Sequence, residues 1–332
     1  MKPVRWGVLG AARIAEAVVP AIASTPGSTV AAIASRDPAR AQAFAAKHGI
    51  ARAYAGYADL LADPDIDAVY VPLPAAEHAT WALACAAAGK AALIEKPFAT
   101  NAAEAATVVA AFADRGALVG EALMYRFHPL TRRVRQLVVD GAVGRVATVR
   151  ASFSVAIPPG DIRWRSAGGG ALLDLGCYCV SVLRLMAGGE PTTATARATW
   201  AEPGVDAAFA GALGFPGGAL GHFACGMRAH FDCSYEIVGD AGRLRVDRGA
   251  MVAWPGEAFA IGRWSAQGET RETVPAADHY QLMVASFADA VRGRAPYAVP
   301  PDETLANLRV MDALRADAVA ATAAPLAFTA SR

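Results

Sequence analysis

The first 122 residues alternate short apolar runs with segments of helical length, and this alternation constrains the fold more than any other feature of the sequence. The first apolar run is Val4 to Leu9, after which Gly10 opens a turn and a helical pattern covers residues 14–23. Four more apolar runs follow, each after a helical pattern, over residues 29–35, 68–73, 91–95 and 118–122. Strands that alternate with helices favour a parallel sheet with helices on both faces. We therefore predict an α/β domain over residues 1–122.

The pattern changes after residue 122. Residues 130–140 indicate a helix, residues 146–155 indicate a half-exposed strand, and a helix is predicted from Gly170 to about residue 186. From Thr192 to Val252, short strands alternate with glycine turns, which is typical of an antiparallel sheet. Residues 123–332 are therefore predicted to form an α+β domain with a large, mainly antiparallel open sheet.

Composition and charge exclude several classes of protein. Charged residues make up 18% of the chain and hydrophobic residues 55%, so a disordered chain is excluded. No uncharged apolar run reaches the 18 residues of a membrane span. The balance of 31 basic and 30 acidic residues, without a basic patch, predicts no nucleic-acid partner. Five irregularly spaced cysteines, and no apolar segment ahead of the first strand, predict a cytoplasmic protein without a disulfide framework.

Two histidine–cysteine pairs do not predict a metal site. His222 and Cys225 are three residues apart, as are His230 and Cys233. Residues three apart in a strand point to opposite faces, so neither pair aims both side chains at one ion. A structural zinc site needs four converging ligands. We therefore predict no metal.

The turn after the first strand occupies the position of a dinucleotide-binding fingerprint. It reads Gly10-Ala11-Ala12-Arg13-Ile14-Ala15, which keeps only the first of the three fingerprint glycines. Gly10 permits the tight turn, and amides at the start of the following helix can hold phosphates. The motif is weak alone, but its position between a first strand and a helix predicts a Rossmann domain that binds a dinucleotide.

The end of the second strand bears on which dinucleotide is bound. An enzyme that uses NAD places an acidic residue there for the ribose hydroxyl, whereas this chain has Ser35-Arg36. A hydroxyl and a guanidinium suit the 2′-phosphate of NADP, and Arg40 can add a second charge. Asp37 is better used as a helix cap before Pro38. The alternative is that Arg36 is simply solvated; we predict NADP.

Two further segments carry chemistry. Lys96, in Glu95-Lys96-Pro97, ends a strand at the edge where open α/β sheets bind ligands, although such a pair can also be structural. Asp174 and Tyr178 follow the glycines at 168–170 and share one helix face, where they can equally face water. Hydride transfer at an alcohol or carbonyl requires a proton to move at the same oxygen. A tyrosine hydroxyl can move it when a cation such as Lys96 stabilises the phenolate.

At this point the chain resembles the glucose–fructose oxidoreductase/inositol dehydrogenase (Gfo/Idh/MocA) family of NAD(P)-dependent sugar oxidoreductases. The resemblance covers essentially the whole chain. It rests on the three motifs above and on two more: Val71-Pro72-Leu73-Pro74 with His78, and Met124-Tyr125-Arg126-Phe127-His128-Pro129.

The resemblance implies roles for individual residues. Lys96 would be the catalytic lysine, Asp174 a substrate-site carboxylate and Tyr178 the acid/base. Many members carry histidine in place of this tyrosine, and the tyrosine form resembles the branch that contains NADP-linked xylose dehydrogenase and dimeric dihydrodiol dehydrogenase. Trp164 and Arg165 lie where that branch brings a loop near the nicotinamide. The family also implies a homo-oligomer formed through the open sheet.

The remaining candidates lie beside these motifs. Leu73, Pro74, His78 and Glu95 are expected near the cofactor, although His78 can equally belong to a helix start. Arg126, His128 and Tyr280 are expected near the substrate, although Tyr280 can equally lie at a surface cap. We predict an NADP-dependent oxidoreductase of a sugar or cyclic polyol, foremost an aldose 1-dehydrogenase of the D-xylose type. The alternatives are a trans-dihydrodiol dehydrogenase, a ketosugar reductase and a non-catalytic NADP-binding sensor.

Overall fold

A computed structural model describes residues 2–254 and 256–322 of the chain. These residues form two compact units that are not contiguous in sequence. The first unit contains residues 2–132, 252–254, 256–258 and 274–306. The second contains residues 133–251, 259–273 and 307–322. The first predicted domain begins at Met1 and the second ends in residues 323–332; both lie outside the described residues.

The first unit is built on a parallel sheet. Its strands are β1 (Val4–Leu9), β2 (Ser28–Ala34), β3 (Arg52–Tyr54), β4 (Ala68–Val71), β5 (Ala91–Glu95) and β6 (Val119–Ala122). Their spatial order is β3-β2-β1-β4-β5-β6, with parallel register throughout. The predicted parallel α/β sheet is therefore confirmed. Because the strand order reverses between β1 and β4, a ligand crevice is expected beyond their carboxyl ends.

Helices alternate with these strands. Those that follow β1 to β5 are α1 (Ala15–Ser24), α2 (Pro38–His48), α3 (Tyr57–Ala62), α4 (Ala75–Ala87) and α5 (Ala102–Ala113). Later helices are α6 (Pro129–Val139), α7 (Cys177–Ala187), α8 (His279–Val291) and α9 (Pro301–Thr322). A local hydrogen-bonded cap explains where α2 begins. Asp37 caps α2 as predicted, since its carboxylate accepts the amides of Ala39 and Arg40.

Helix α8 returns the chain to the first unit. Phe287 lies fully buried with its ring 5.5 Å from that of Trp6 on β1. Gln281 donates to the carbonyl of Ser24 at 3.0 Å. Burial of two aromatic side chains contributes on the order of 3–6 kcal/mol, which explains why a segment so late in the sequence belongs to this unit.

The second unit is built on a mainly antiparallel sheet, as predicted. Its strands are β7 (Val146–Ala156), β8 (Thr193–Glu202), β9 (Val205–Gly214), β10 (Leu220–Gly226), β11 (Arg228–Gly239), β12 (Gly242–Val246), β13 (Phe259–Ser265) and β14 (Gly268–Val274). Their order is β14-β13-β12-β11-β7-β10-β9-β8. β7 pairs in parallel with β10 and antiparallel with β11, so the sheet contains one parallel pair among antiparallel neighbours.

The structure differs from expectation at the helix predicted from Gly170 to residue 186. Residues Leu172–Gly176 form a single π-helical turn, and the α-helix α7 begins only at Cys177. A π turn is a local widening that occurs often at functional sites.

Candidate functional site

The predicted cofactor residues of the first unit lie at the carboxyl ends of neighbouring strands. Gly10 follows β1, Ser35 follows β2, Leu73 follows β4 and Lys96 follows β5. In the sheet these strands are adjacent in the order β2-β1-β4-β5. The fold therefore brings the four segments to one edge, the edge at which doubly wound sheets bind nucleotides.

The turn after β1 has the geometry of a phosphate cradle. Gly10 has φ +114°, and a Cβ atom there would lie 3.0 Å from a methyl of Leu73. Only glycine combines that dihedral angle with that close approach. Arg40 braces the turn, because its Nη2 donates to the carbonyl of Ala11 at 2.8 Å. The turn after Gly10 therefore fits the phosphates of a dinucleotide.

The end of β2 presents basic groups. Arg36 is exposed, and its Nη1 lies 3.3 Å from Oε1 of Glu77. Ser35 is buried, and its hydroxyl accepts the amide of Asp37 at 3.2 Å. Because the carboxylate of Asp37 is occupied by the amides of α2, it serves that helix as a cap.

Tyr57 is a neighbour of this site that sequence reasoning missed. Its hydroxyl would lie 3.7 Å from a Cβ at Gly10. Burial raises the pKa of Tyr57, and the nearby Arg36 guanidinium opposes that rise. No local pattern singles out a tyrosine that begins a six-residue helix, so no sequence signal could have found it.

Lys96 follows a buried, hydrogen-bonded carboxylate. Glu95 accepts the hydroxyl of Tyr70 at 2.6 Å through Oε1 and the amide of Lys96 at 3.1 Å through Oε2. Glu95 is 7% exposed. These two bonds hold the backbone at the point where β5 ends, and the Lys96–Pro97 peptide bond is cis.

His78 connects two of these loops. Its Nδ1 lies 2.8 Å from the carbonyl oxygen of Pro97, and its Nε2 lies 2.7 Å from that of Leu73. Burial lowers the pKa of His78, and the charge of Lys96 lowers it further. His78 therefore lies beside Lys96, and its ring ties together the segments that follow β4 and β5.

The three predicted substrate residues also lie in the first unit. Arg126 pairs with Glu303 at 3.5 Å. His128 is buried with its ring 6.1 Å from that of His279, whose pKa burial lowers to about 3. Tyr280 follows at the start of α8. Burial raises the pKa of Tyr280, and the charge of Glu95 raises it further.

A second buried carboxyl lies near these groups. Glu121 on β6 accepts the amide of Phe98 and the hydroxyl of Thr304, both at 3.0 Å. Burial raises the pKa of Glu121 to about 7; Glu95 raises it further, whereas Arg126 and the two hydrogen bonds lower it. A lone acid inside an apolar strand was the signal that could have identified it.

In the second unit, Asp174 and Tyr178 lie on the helical segment after three glycines. Asp174 lies in the π turn, and its amide donates to the carbonyl of Gly170 at 3.0 Å. Tyr178 is 3% exposed in α7, with its ring 5.5 Å from that of Phe153. Packing against Phe153 therefore fixes the position of the Tyr178 ring.

Arg163, in the loop before the glycines at 168–170, contacts the carboxylate of Asp174, which is predicted to bind the substrate. Arg163 donates through Nε and Nη2 to Asp161, both at 2.8 Å, and its Nη1 lies 3.6 Å from Oδ2 of Asp174. The indole of Trp164 donates to the carbonyl of Pro158 at 3.0 Å. Arg165 is exposed. Sequence reasoning did not identify Arg163 as a neighbour of Asp174.

The other sequence candidates can be placed as well. His222 is exposed and Cys225 is buried, so the two side chains lie on opposite faces of β10. Within residues 2–254 and 256–322, no cluster of three or more His, Cys, Asp or Glu side chains is arranged to hold a metal ion. Among the helices of the described residues, none has both the length and the apolar character needed to cross a membrane.

Comparison with known protein families matches both halves of the chain. Residues 4–123 match the model described as "Oxidoreductase family, NAD-binding Rossmann fold". Residues 131–245 match the GFO/IDH/MocA C-terminal domain. Together these two matches cover more than half of the sequence.

Individual relatives span most of the chain. A D-xylose 1-dehydrogenase (NADP(+)) of Haloferax volcanii is 36% identical over 313 residues, which is 93% of this chain and 95% of the relative. The trans-1,2-dihydrobenzene-1,2-diol dehydrogenase of Mus musculus is 36% identical over 249 residues, 74% of each chain.

A solved structure is similar over nearly the full length. It is a 3-ketoreductase from Actinomadura kijaniata in complex with NADP and TDP-benzene, with a TM-score of 0.87 and 32% identity over 95% of this chain and 98% of the other. Structures of the same ketoreductase in which a tyrosine is replaced by phenylalanine, or a lysine by alanine or glutamate, match as well.

Proposed function

Because the chain belongs to the GFO/IDH/MocA family of oxidoreductases, we propose that it uses NADP to exchange a hydride with a sugar or cyclic polyol. The foremost candidate is an aldose 1-dehydrogenase of the D-xylose type, as in the Haloferax relative. A trans-dihydrodiol dehydrogenase and a ketosugar reductase are the alternatives, supported by the mouse enzyme and the ketoreductase structure.

One observation carries the choice of NADP: the segment that follows β2 offers an exposed guanidinium, and its own carboxylate, that of Asp37, is occupied by the amides of α2. Asp37 is occupied as the cap of α2, whereas Arg36 is exposed and Arg40 lies against the turn after Gly10. An acidic group there would bind the ribose hydroxyl of NAD. Arginine instead binds phosphate through charge-assisted hydrogen bonds. The proposed 2′-phosphate site is therefore Ser35, Arg36 and Arg40.

The remaining cofactor contacts follow from the other strand ends. We assign the pyrophosphate to the backbone of Gly10 to Ile14 at the start of α1. The nicotinamide half is assigned to a set of residues at the ends of β4 and β5 and in one loop of the second unit: Leu73, Pro74, His78, Glu95, Lys96, Trp164 and Arg165. Bound NADP would supply the hydride acceptor.

The protein would supply the proton chemistry and the orientation of the substrate. The ammonium of Lys96 stabilises Tyr178 as a phenolate, and this phenolate takes the proton of the reacting hydroxyl and becomes the neutral phenol. Asp174 accepts a hydrogen bond from a substrate hydroxyl and so fixes the pose of the sugar. Arg126, His128 and Tyr280 complete the substrate contacts.

We also propose how the two halves of the chain divide this work. Residues 1–122 bind NADP, and residues 123–332 bind the substrate and assemble into a homo-oligomer in the cytoplasm. Leu220 on β10 is an apolar side chain that is 59% exposed, and contact with a second copy of the chain would remove it from water. Sedimentation of the purified protein as a monomer at micromolar concentration would contradict the oligomer.

A substrate panel tests the proposed function. Purified protein is assayed with NADP and with NAD against aldoses, trans-diols and, in the reverse direction, keto-sugars, while the absorbance of the reduced cofactor is followed. We expect turnover with NADP on at least one aldose and a higher kcat/KM for NADP than for NAD. Absence of turnover on every class, with measurable NADP binding, would instead favour a sensor.

A further inference from the structure

Asp206 is a completely buried carboxylate beside the helical segment that carries Asp174 and Tyr178. It lies on β9 with 0% exposure, and its Oδ2 accepts the amide of Leu172 at 2.6 Å. Burial raises the pKa of Asp206, while the amides of Leu172 and Ala171 and the charge of Arg315 favour its ionised form. The carboxylate therefore binds the amide of Leu172, at the start of the segment that leads to the predicted catalytic residues.

The glycines before this segment make the contact possible. Gly170 has φ +107°, and a Cβ atom there would collide with Oδ1 of Asp206. A Cβ at Gly169 would collide with the carbonyl oxygens of Arg163 and Arg165. The glycine run therefore lets the backbone approach both Asp206 and the loop that contains Arg163.

Leu172, whose amide Asp206 binds, is the first residue of the π turn. The turn spans Leu172–Gly176 and contains Asp174, and α7 with Tyr178 follows without a break. An acceptor at the amino-terminal end of a helix determines where its hydrogen-bonded ladder begins and is favoured by the helix dipole. The start of the ladder in turn determines the direction in which both functional side chains project.

A carboxylate is a costly choice for this position. The neighbouring inward side chains of β9, Val205, Ala207 and Phe209, are apolar and buried. An apolar residue would avoid the desolvation penalty of a buried charge. Stability alone therefore does not explain Asp206, whereas the need to hold one defined helix start does.

We propose that Asp206 is a positioning residue that fixes the start of the π turn and thereby the placement of Asp174 and Tyr178. This inference rests on the proposed function for its kinetic consequence. Its structural part, the hold on the amide of Leu172, stands independently of any substrate. Asp206 itself does not touch the reacting atoms in this assignment.

Two substitutions and a control test the inference in the full-length protein. Asp206→Ala removes the acceptor, and Asp206→Asn keeps one oxygen for Leu172. Leu244→Ala truncates a buried side chain on β12, where Leu244 is 0% exposed. This variant is the control for a loss of stability in the same unit. Each protein is studied below its unfolding temperature by steady-state kinetics, NADP titration and amide hydrogen exchange over residues 168–180.

For Asp206→Ala we expect faster exchange at the start of this segment and a roughly 10- to 100-fold lower kcat, because small misplacement of reacting groups is costly. The Kd for NADP should stay within about twofold. Asp206→Asn should recover part of kcat, and Leu244→Ala should keep kcat within about twofold of the wild type. If Asp206→Ala does not fold, the partial loss and faster exchange in Asp206→Asn carry the test.

The outcomes separate this inference from the proposed function. Unchanged exchange in both Asp206 variants overturns the inference whether or not the enzyme turns over. If Asp206→Ala shows faster exchange but keeps the same kcat as the Leu244→Ala control, only the positioning role is overturned. A wild-type protein without turnover on the panel refutes the proposed function, and the exchange data then decide whether Asp206 holds the helix start.

Discussion

Arg36 and Glu77 form an exposed ion pair where β2 ends, with Nη1 of Arg36 3.3 Å from Oε1 of Glu77 and the arginine side chain 69% exposed. An exposed pair of this kind contributes only about 0–1 kcal/mol. A phosphate group, which accepts charge-assisted hydrogen bonds from a guanidinium, can therefore replace Glu77 as the partner of Arg36.

Replacing Arg36 by glutamate should reverse the preference between the two cofactors. The substitution removes one charged hydrogen bond to the 2′-phosphate and adds repulsion, so we expect Kd for NADP to rise about 10- to 100-fold. Fluorescence titration with NADPH and NADH measures the two dissociation constants. Arg115→Glu, at an exposed position after α5, changes the charge equally and should leave both affinities unchanged. Unaltered NADP affinity in Arg36→Glu would contradict the assigned phosphate site.

Glu77→Gln should have the opposite effect. It removes the carboxylate that competes for Arg36, so we expect NADP to bind about two- to fivefold more tightly, the range that an exposed ion pair allows. NAD lacks the 2′-phosphate and should bind as before. Tighter binding of both cofactors to the same extent would show that Glu77 acts elsewhere.

Tyr178→Phe should remove catalysis while sparing the fold. The ring packs 5.5 Å from that of Phe153, and phenylalanine preserves that contact. Loss of a positioned acid/base lowers kcat about 10²- to 10⁴-fold, and Kd for NADP should change by less than about twofold. Tyr235→Phe, which alters another buried tyrosine of the same unit, is the matched control. Near-normal turnover by Tyr178→Phe would remove this residue from the mechanism.

Arg163→Met should weaken substrate binding more than cofactor binding. Arg163 links Asp161 to Asp174, and without it the carboxylate of Asp174 loses a charged neighbour 3.6 Å away. We expect the KM for the sugar to rise about tenfold. Arg197→Met breaks a comparable pair with Asp317, at 3.4 Å in the same unit, and should leave KM unchanged. Equal effects of the two substitutions on KM would refute a specific role for Arg163.

Local patterns predicted the first unit well because its strands are apolar runs and its helices carry local caps. Asp37 and Pro38 mark a helix start through bonds that span two or three residues. β3 was missed because Arg52–Tyr54 is only three residues long and partly exposed. β13 and β14 were missed because polar residues interrupt their apolar pattern.

The candidate site was predicted where a motif follows a strand end, and missed where contacts come from distant parts of the chain. Lys96 and Gly10 belong to the first group. Tyr57 and Asp206 belong to the second, since Tyr57 lies near Gly10 and Asp206 accepts the amide of Leu172, each far from its neighbour in sequence. The π turn after Gly170 has the same origin, because it begins at the amide that Asp206 holds.

Glu121 should make the protein less stable as the pH rises. Burial raises its pKa in the folded chain from 4.5 to about 7, so the folded state holds a proton that the unfolded state releases. The resulting stabilisation is complete below about pH 4.5 and is lost as the pH rises to about 7, a change of about 3 kcal/mol in the free energy of unfolding.

Glu121→Gln removes this titration and keeps an oxygen for the amide of Phe98. Urea unfolding at pH 5 and pH 8 measures the free energy of unfolding of both proteins. Other groups also titrate, so the pH-dependent change in the free energy of unfolding of the variant is subtracted from that of the wild type. The difference between pH 5 and pH 8 should be about 2.5 kcal/mol. Glu269→Gln, at an exposed position on β14, should match the wild type. Identical pH dependence in wild type and Glu121→Gln would show that Glu121 is ionised throughout this range, with its charge held by Phe98, Thr304 and Arg126.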